Sequence, residues 1–303
     1  MMLKDLDNFA KNIKGKIRLN YNLKNHTWLN IGGNAKIFFV PETLAELREF
    51  LIYLKENDND FFLLGAGSNV LISENIQNRI FIKLGKNFNK ISLMKNNIII
   101  AGCSILDKNV SDFATNNHLS GLEFLSCIPG SVGGGIRMNS GCFGKEFKDV
   151  LLSVQVMDYD GKVYTIDSKN INFEYRKISL PKNLIFLSAS FKTFKKDKKE
   201  IEDTIYKFKQ KKENSQPLRV KTGGSTFKNP KAQTEKKVWE LIKESVDDKI
   251  NFGDAKISDK HSNFFINSKN ASFENMYNLI NFVKDKVKDK TGISLELELE
   301  IVN

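Results

Sequence analysis

Apolar and polar residues alternate along the last part of the chain, TGISLELELEIV. A period of two places Ile293, Leu295, Leu297, Leu299 and Ile301 on one face of a predicted strand, and Ser294, Glu296, Glu298 and Glu300 on the other. A half-buried strand with a solvated acidic face accounts for this pattern, and a functional reading needs one glutamate to look into a site. Upstream, short runs rich in Ile, Val and Phe (AKIFFV, FFLLGAGSNVLIS, RIFIKL, NNIIIAG, LLSVQVMDYDGKVYTI) predict strands, the last with an Asp-Gly hairpin signal at Asp160-Gly161. Helical spacing sets Leu44, Leu47, Phe50 and Leu51 on one face, and likewise Ile201, Ile205 and Phe208. Beyond Gln216-Pro217 come a glycine turn, a helix over 238–244, a loop, and a helix over 273–288. That last helix aligns Met276, Leu279, Ile280, Val283 and Val287, with Gly292 as its C-cap, before the terminal strand. The fold class is therefore α+β, with a second, smaller α+β unit.

The chain has 303 residues, 41% of them hydrophobic, enough for about two domains. Its charge of +11 invites a polyanion reading. The lysines, however, are scattered beside acids, as in KTFKKDKKE and NFVKDKVKDK, and such stretches read as solvated faces, so no nucleic-acid partner is expected. Cys103, Cys127 and Cys142 have no C-x-x-C spacing and an odd count, which argues against a disulfide framework. His26, His118 and His261 are far apart, and no metal site is expected. The N-terminus lacks the apolar core of a signal peptide and no run is long enough to span a bilayer, so a reduced, cytoplasmic protein is expected.

Glycine clusters twice. In LLGAGSNVLIS an apolar strand leads into Gly65-Ala66-Gly67-Ser68-Asn69. A Rossmann fingerprint needs a third glycine and a helix where this chain has Val70 and strand-like residues, so that reading fails. What remains is a turn whose backbone N–H groups and Ser68 hydroxyl suit a phosphate. The second cluster, CIPGSVGGGIRMNSGCFG, sets Gly133, Gly134 and Gly135 in a row. Each glycine costs about 1 kcal/mol in a helix interior, so three together imply a close backbone approach, read here as a diphosphate cradle. In QPLRVKTGGSTFKNP, Ser225 stands on a glycine turn. No G-x-S-x-G surrounds it, so a hydrolase nucleophile elbow is not supported.

From about Asn25 onward the chain resembles the UDP-N-acetylenolpyruvoylglucosamine reductase family. The pieces that carry the resemblance are NHTWLNIGGNA, LGAGSNVLIS, GLEFLSCIPGSVGGGIRMNSGCFG, FEYRKISL, QPLRVKTGGSTFKNP, ISDKHSNFFIN and LELELEIV, in that order. The resemblance implies an FAD-binding domain of the vanillyl-alcohol oxidase type over 1–214, completed by the strand 293–303, and a substrate-binding domain over 215–292. It implies FAD held by Leu64, Gly65, Ala66, Gly67, Ser68 and Asn69, and by Ile128, Pro129, Gly130, Ser131, Gly133, Gly134, Gly135, Asn139 and Gly141. NADPH would reduce the flavin, and UDP-N-acetylglucosamine enolpyruvate would become UDP-N-acetylmuramate for peptidoglycan.

Carried over residue by residue, Arg176 and Glu298 polarise the substrate carboxylate and Ser225 donates a proton. Arg176 suits a carboxylate because guanidinium grips it bidentately, whereas Glu298 beside one is expected to have a raised pKa in the complex. The short spacing from Arg176 to Ser225 resembles the family's compact class, which lacks a tyrosine-bearing loop. Lys228, Asn229 and His261 are then the candidates to grip the substrate phosphates, with His261 equally suited to a structural role. A monomer is expected. The chain departs from the family pattern at Leu297 and Glu300, at Ser245-Val246 and at Gly253-Asp254. An FAD oxidase of the same binding fold is the alternative, although it would not require the GSTFKNP serine or the terminal glutamate.

Overall fold

The computed structural model describes residues 9–303 apart from Gln77 and Asp248. The chain forms two compact units whose segments interleave: 1–20, 36–66 and 78–210 make the first, and 21–35, 67–77 and 211–303 the second. The second thus gathers two stretches from the N-terminal third together with the terminal strand.

The first unit is built on two larger sheets. In one, Asn34–Val40, Ile80–Ile82 and Phe61–Leu63 run parallel and in register, with Lys16–Asn22 at the edge. Helix Leu44–Glu56 packs Leu47, Phe50, Leu51 and Leu54 against this sheet, all fully buried. The Phe39 and Phe50 rings lie 4.3 Å apart, and Phe50→Ala removes roughly 3–5 kcal/mol of such packing. Thr43 starts the helix by accepting the Glu46 N–H at 3.1 Å. Leu44, expected on the apolar face, is instead 46% exposed, because that face begins one turn later.

The other sheet is antiparallel, in the order Val163–Asp167, Leu151–Met157, Ile185–Lys192, Ile98–Gly102, Ile91–Met94. The Asp-Gly signal marks a wider loop than a two-residue turn: Met157 pairs with Val163, and Asp158 Oδ1 accepts the N–H groups of Asp160 and Lys162. Gly161, with φ +73°, supplies the left-handed position. Helix Asp107–Asn116, which lacks a strong apolar repeat, packs through Val110 and Ala114.

In the second unit an antiparallel sheet runs Lys221–Ser225, His261–Asn267, Ala255–Ser258, Asn251–Phe252. Helix Phe273–Thr291 buries the five predicted residues Met276, Leu279, Ile280, Val283 and Val287, and ends at Gly292 with φ +74°. The terminal strand Glu300–Val302 runs parallel to Val70–Ile72. Among the described residues no helix is long and apolar enough to cross a membrane, and no cluster of His, Cys, Asp and Glu could hold a metal ion.

Candidate functional site

In the first unit the chain leaves strand Phe61–Leu63 through buried Leu64 into Gly65 and Ala66. A Cβ on Gly65 would stand 2.8 Å from Ser131 Oγ, so this turn and the Gly130-Ser131 turn abut. The backbone N–H groups of Gly65, Ala66, Gly130 and Ser131 donate to no group among the described residues. Pro129 is exposed beside them and Ile128 packs on the core. Bare amides on two abutting glycine turns fit the diphosphate of FAD.

The glycine triplet is less open than its sequence implies. Gly133, Gly134 and Gly135 lie in a six-residue helix, Val132–Arg137. Cβ atoms would meet Cys103 at 3.2 Å from Gly133 and the Phe147 ring at 2.4 Å from Gly135, whereas Gly134 is exposed. Two of the three glycines therefore let the protein pack on itself. Gly141 does the same, its Cβ position lying 2.3 Å from the Lys145 carbonyl oxygen. Asn139 is fully buried at φ +39° and is spent internally: its amide donates to Glu146 Oε2 at 3.0 Å and to the Glu174 carbonyl at 3.2 Å, and its Oδ1 accepts from Lys148 N at 3.1 Å. The bond to Glu174 ties this helix to the hairpin that carries Arg176.

Arg176 is the second residue of that hairpin's tight turn, between Glu174 and its partner Lys177. Its φ of +59° is a left-handed conformation that costs a side-chain-bearing residue about 1–2 kcal/mol, and such strain collects at functional sites. The guanidinium lies over the Tyr175 ring, 5.1 Å from the centroid.

The second unit holds the rest of the first glycine turn. Gly67, at φ +72°, has its Cβ position 1.9 Å from the His26 carbonyl oxygen, so no other residue fits there. Ser68 is half-buried and follows directly. Asn69, a cofactor-binding candidate, donates its amide to the Glu298 carbonyl at 3.0 Å, and its own carbonyl accepts from Glu300 N at 3.1 Å.

Gly223 and Gly224 break the register between Thr222 and Ser225, making a bulge that turns Ser225 at the strand end. Thr226 then accepts the N–H groups of both Glu298 and Leu299, at 2.9 and 3.3 Å. That doubled contact interrupts the terminal alternation, so the regular strand begins only at Glu300. Leu295 and Leu299 are buried as expected, Glu296 and Glu300 are exposed, and Glu298 alone of the three glutamates is half-buried. Ser225, Thr226 and Glu298 thus converge in one unit.

Lys228 lies beside them: its N–H donates to the Glu296 carbonyl and its Nζ is 3.5 Å from Glu296 Oε2. Asn229 Oδ1 accepts from Val238 N at 3.0 Å, which fixes helix Val238–Ser245 to the loop. His261 is half-buried with its ring edge-on to Phe264 at 4.8 Å; burial lowers its pKa, and Nδ1 accepts from Asn263 N at 3.2 Å. Sequence reasoning missed Asn263, which is buried and clamps Phe227 from both sides through its Oδ1 and Nδ2. Its only signal was an uncharged amide within an apolar strand, HSNFFIN.

Family models match two parts of the chain: "FAD binding domain" over residues 35–167, and "UDP-N-acetylenolpyruvoylglucosamine reductase, C-terminal domain" over 216–302. The chain is 53% identical over 302 residues to the UDP-N-acetylenolpyruvoylglucosamine reductase of Pelagibacter ubique, covering all of both chains. The chain belongs to the UDP-N-acetylenolpyruvoylglucosamine reductase family. The relative from Rickettsia prowazekii is 41% identical over 95% of this chain and 96% of its own. The crystal structure of the reductase from Thermus caldophilus superposes with a TM-score of 0.81 at 30% identity, covering 96% of this chain and 100% of that one. The fold is thus α+β, an FAD-binding domain with the smaller C-terminal domain of this reductase family.

Proposed function

We propose that the chain is the NADPH-dependent, FAD-mediated reductase that converts UDP-N-acetylglucosamine enolpyruvate to UDP-N-acetylmuramate, in the cytoplasm, for peptidoglycan. The observation that carries this reading is the convergence of Ser225 and Glu298 on Thr226, within a chain whose relatives bear that reductase name. We assign flavin binding to 1–214 with 293–303, and substrate binding to 215–292.

FAD, held by the turns at 65–66 and 130–131, would supply hydride chemistry at the methylene carbon of the enolpyruvyl ether, with NADPH as the reductant. Charge then develops across the α-carbon and carboxylate, and the protein must meet it with pre-aimed groups. Arg176 grips the carboxylate through its guanidinium, its strained turn holding it ready. The Ser225 hydroxyl gives its proton to the α-carbon, and the bulge fixes its direction. Glu298 faces the carboxylate from the other strand, its backbone held by Thr226 and Asn69. Lys228 and Asn229 contribute positive charge and amide donors to the substrate diphosphate, and His261 supports that wall.

The test is an anaerobic visible spectrum of the purified protein, alone, after NADPH, and after the enolpyruvyl sugar nucleotide. The flavin band bleaches with NADPH and returns with substrate. In Ser225→Ala the bleaching persists and the return slows by about a hundredfold or more, the usual cost of losing a positioned proton donor. Equal slowing of both half-reactions rejects the role of Ser225, and bleaching without return leaves an FAD protein with another acceptor.

A further inference from the structure

Lys83 follows strand Ile80–Ile82 as Gly65 follows strand Phe61–Leu63, and the two strands are parallel with Ile82 opposite Leu63. The Leu64 N–H donates to the Ile82 carbonyl, and the Lys83 N–H donates to the Phe39 carbonyl of the third parallel strand, at 2.8 and 2.9 Å. Lys83 and Gly65 are thereby fixed side by side at the carboxyl ends of parallel strands, where such sheets bind ligands. The Lys83 ammonium donates to the Gly65 carbonyl oxygen, and among the described residues no carboxylate pairs with it. Lys83 is half-buried, and that burial lowers its pKa. A carbonyl dipole offsets only part of the cost of burying an ammonium, and an anion offsets more. Beside it stand the unengaged amides of Gly65 and Ala66, and Ser131 Oγ lies 2.8 Å from where a Gly65 side chain would begin.

We propose that Lys83 is the counter-cation of the cofactor's diphosphate, joining the glycine turn in binding FAD through charge. This rests on the FAD-binding reading above. The lysine has a second effect on the same ligand: by holding the Gly65 carbonyl it turns that oxygen away from the anion and leaves the amides to face it.

The test is a titration of the full-length, flavin-stripped chain with FAD and, separately, with riboflavin, which carries the same ring and no phosphate. Flavin fluorescence reports binding, and thermal unfolding confirms that each variant is folded. In Lys83→Met the Kd for FAD rises about tenfold or more, as expected on losing a charge-assisted contact, while that for riboflavin stays within about twofold. FAD binding by the variant also loses part of its salt dependence, and Lys83→Arg restores most of the affinity. Lys83→Gln, closer in length, gives the same pattern where the Met variant unfolds. Equal weakening of FAD and riboflavin, or no weakening of either, overturns the proposal. A wild-type chain that binds neither flavin overturns the FAD-binding reading itself, and the proposal with it.

Discussion

Gly133, Gly134 and Gly135 lie in a short helix of the first unit, whereas Gly223 and Gly224 interrupt a strand of the second. Both groups include glycines at which the protein closes on itself: a Cβ on Gly135 would enter the Phe147 ring at 2.4 Å, and one on Gly223 would stand 2.5 Å from Leu299 Cδ1. Each group also has a member where a Cβ would meet no tight contact, Gly134 and Gly224, and here the two differ. Gly134 has ordinary helical geometry, while Gly224 has φ +79° and sets the direction of the serine that follows. A glycine's meaning therefore lies in what its missing side chain would meet and in the sign of its φ, and neither is visible in a count.

The contrast can be broken by substitution. Gly135→Ala should have the largest effect, roughly 3 kcal/mol of stability lost as Phe147 is forced out of a packed core, read as a large fall in melting temperature. A variant that melts like wild type would mean that the triplet is not a packing device. Gly224→Ala should cost about 1–2 kcal/mol from its left-handed backbone alone. Because it also re-aims Ser225, flavin reoxidation by substrate should slow while reduction by NADPH does not, and stopped-flow measurement of both half-reactions decides this.

Asp107 sharpens the picture of the first region. Its N–H donates to the Gly130 carbonyl at 3.1 Å, yet its carboxyl is fully buried with neither oxygen partnered among the described residues. Burial holds its pKa well above the ordinary value and also raises that of the Cys103 thiol. The folded protein thus keeps a proton that the unfolded chain releases above about pH 4, and this site weakens folding progressively as pH rises from there. Asp107→Asn cannot titrate, so its stability should match wild type near pH 3 and exceed it by about 1–2 kcal/mol at neutral pH, in denaturant melts across that range. A pH-independent difference would reject the buried acid. The smallest effect belongs to Gly134→Ala, a gain of up to about 1 kcal/mol from helix propensity, since its Cβ would meet Ser131 Oγ at an ordinary 3.6 Å. A loss of stability there would erase the distinction between open and closed glycines.

Much of this architecture could be read from residue order alone. The strands with continuous Ile, Val and Phe, and the helices with a clear apolar stripe, fall where periodicity puts them, down to the glycine ending Phe273–Thr291. What escaped detection was held by long-range contacts rather than by local pattern. Helix Asp107–Asn116 has a polar sequence and few apolar anchors. Helix Val132–Arg137 runs against glycine propensity because Cys103 and Phe147, distant in sequence, need the space. The gathering of 21–35 and 67–77 with the C-terminal part leaves no mark on composition. At the site, the acidic alternation singled out no glutamate. Glu298 differs from its neighbours because Thr226, 72 positions earlier, accepts from both its N–H and the next. Lys83 and Asn263 were invisible for the same reason, their partners lying elsewhere in the chain.

The parallel pairing of Glu300–Val302 with Val70–Ile72 has a consequence for biosynthesis. The Asn69 amide waits for a carbonyl that lies 229 positions further along, at Glu298. Until residues 300–302 have been synthesised, the second unit lacks the strand that pairs with residues 70–72, and that edge stays unpaired. Completion of this unit therefore waits on residues 300–302, and a nascent chain stopped before them would leave that edge exposed to chaperones and to neighbouring copies.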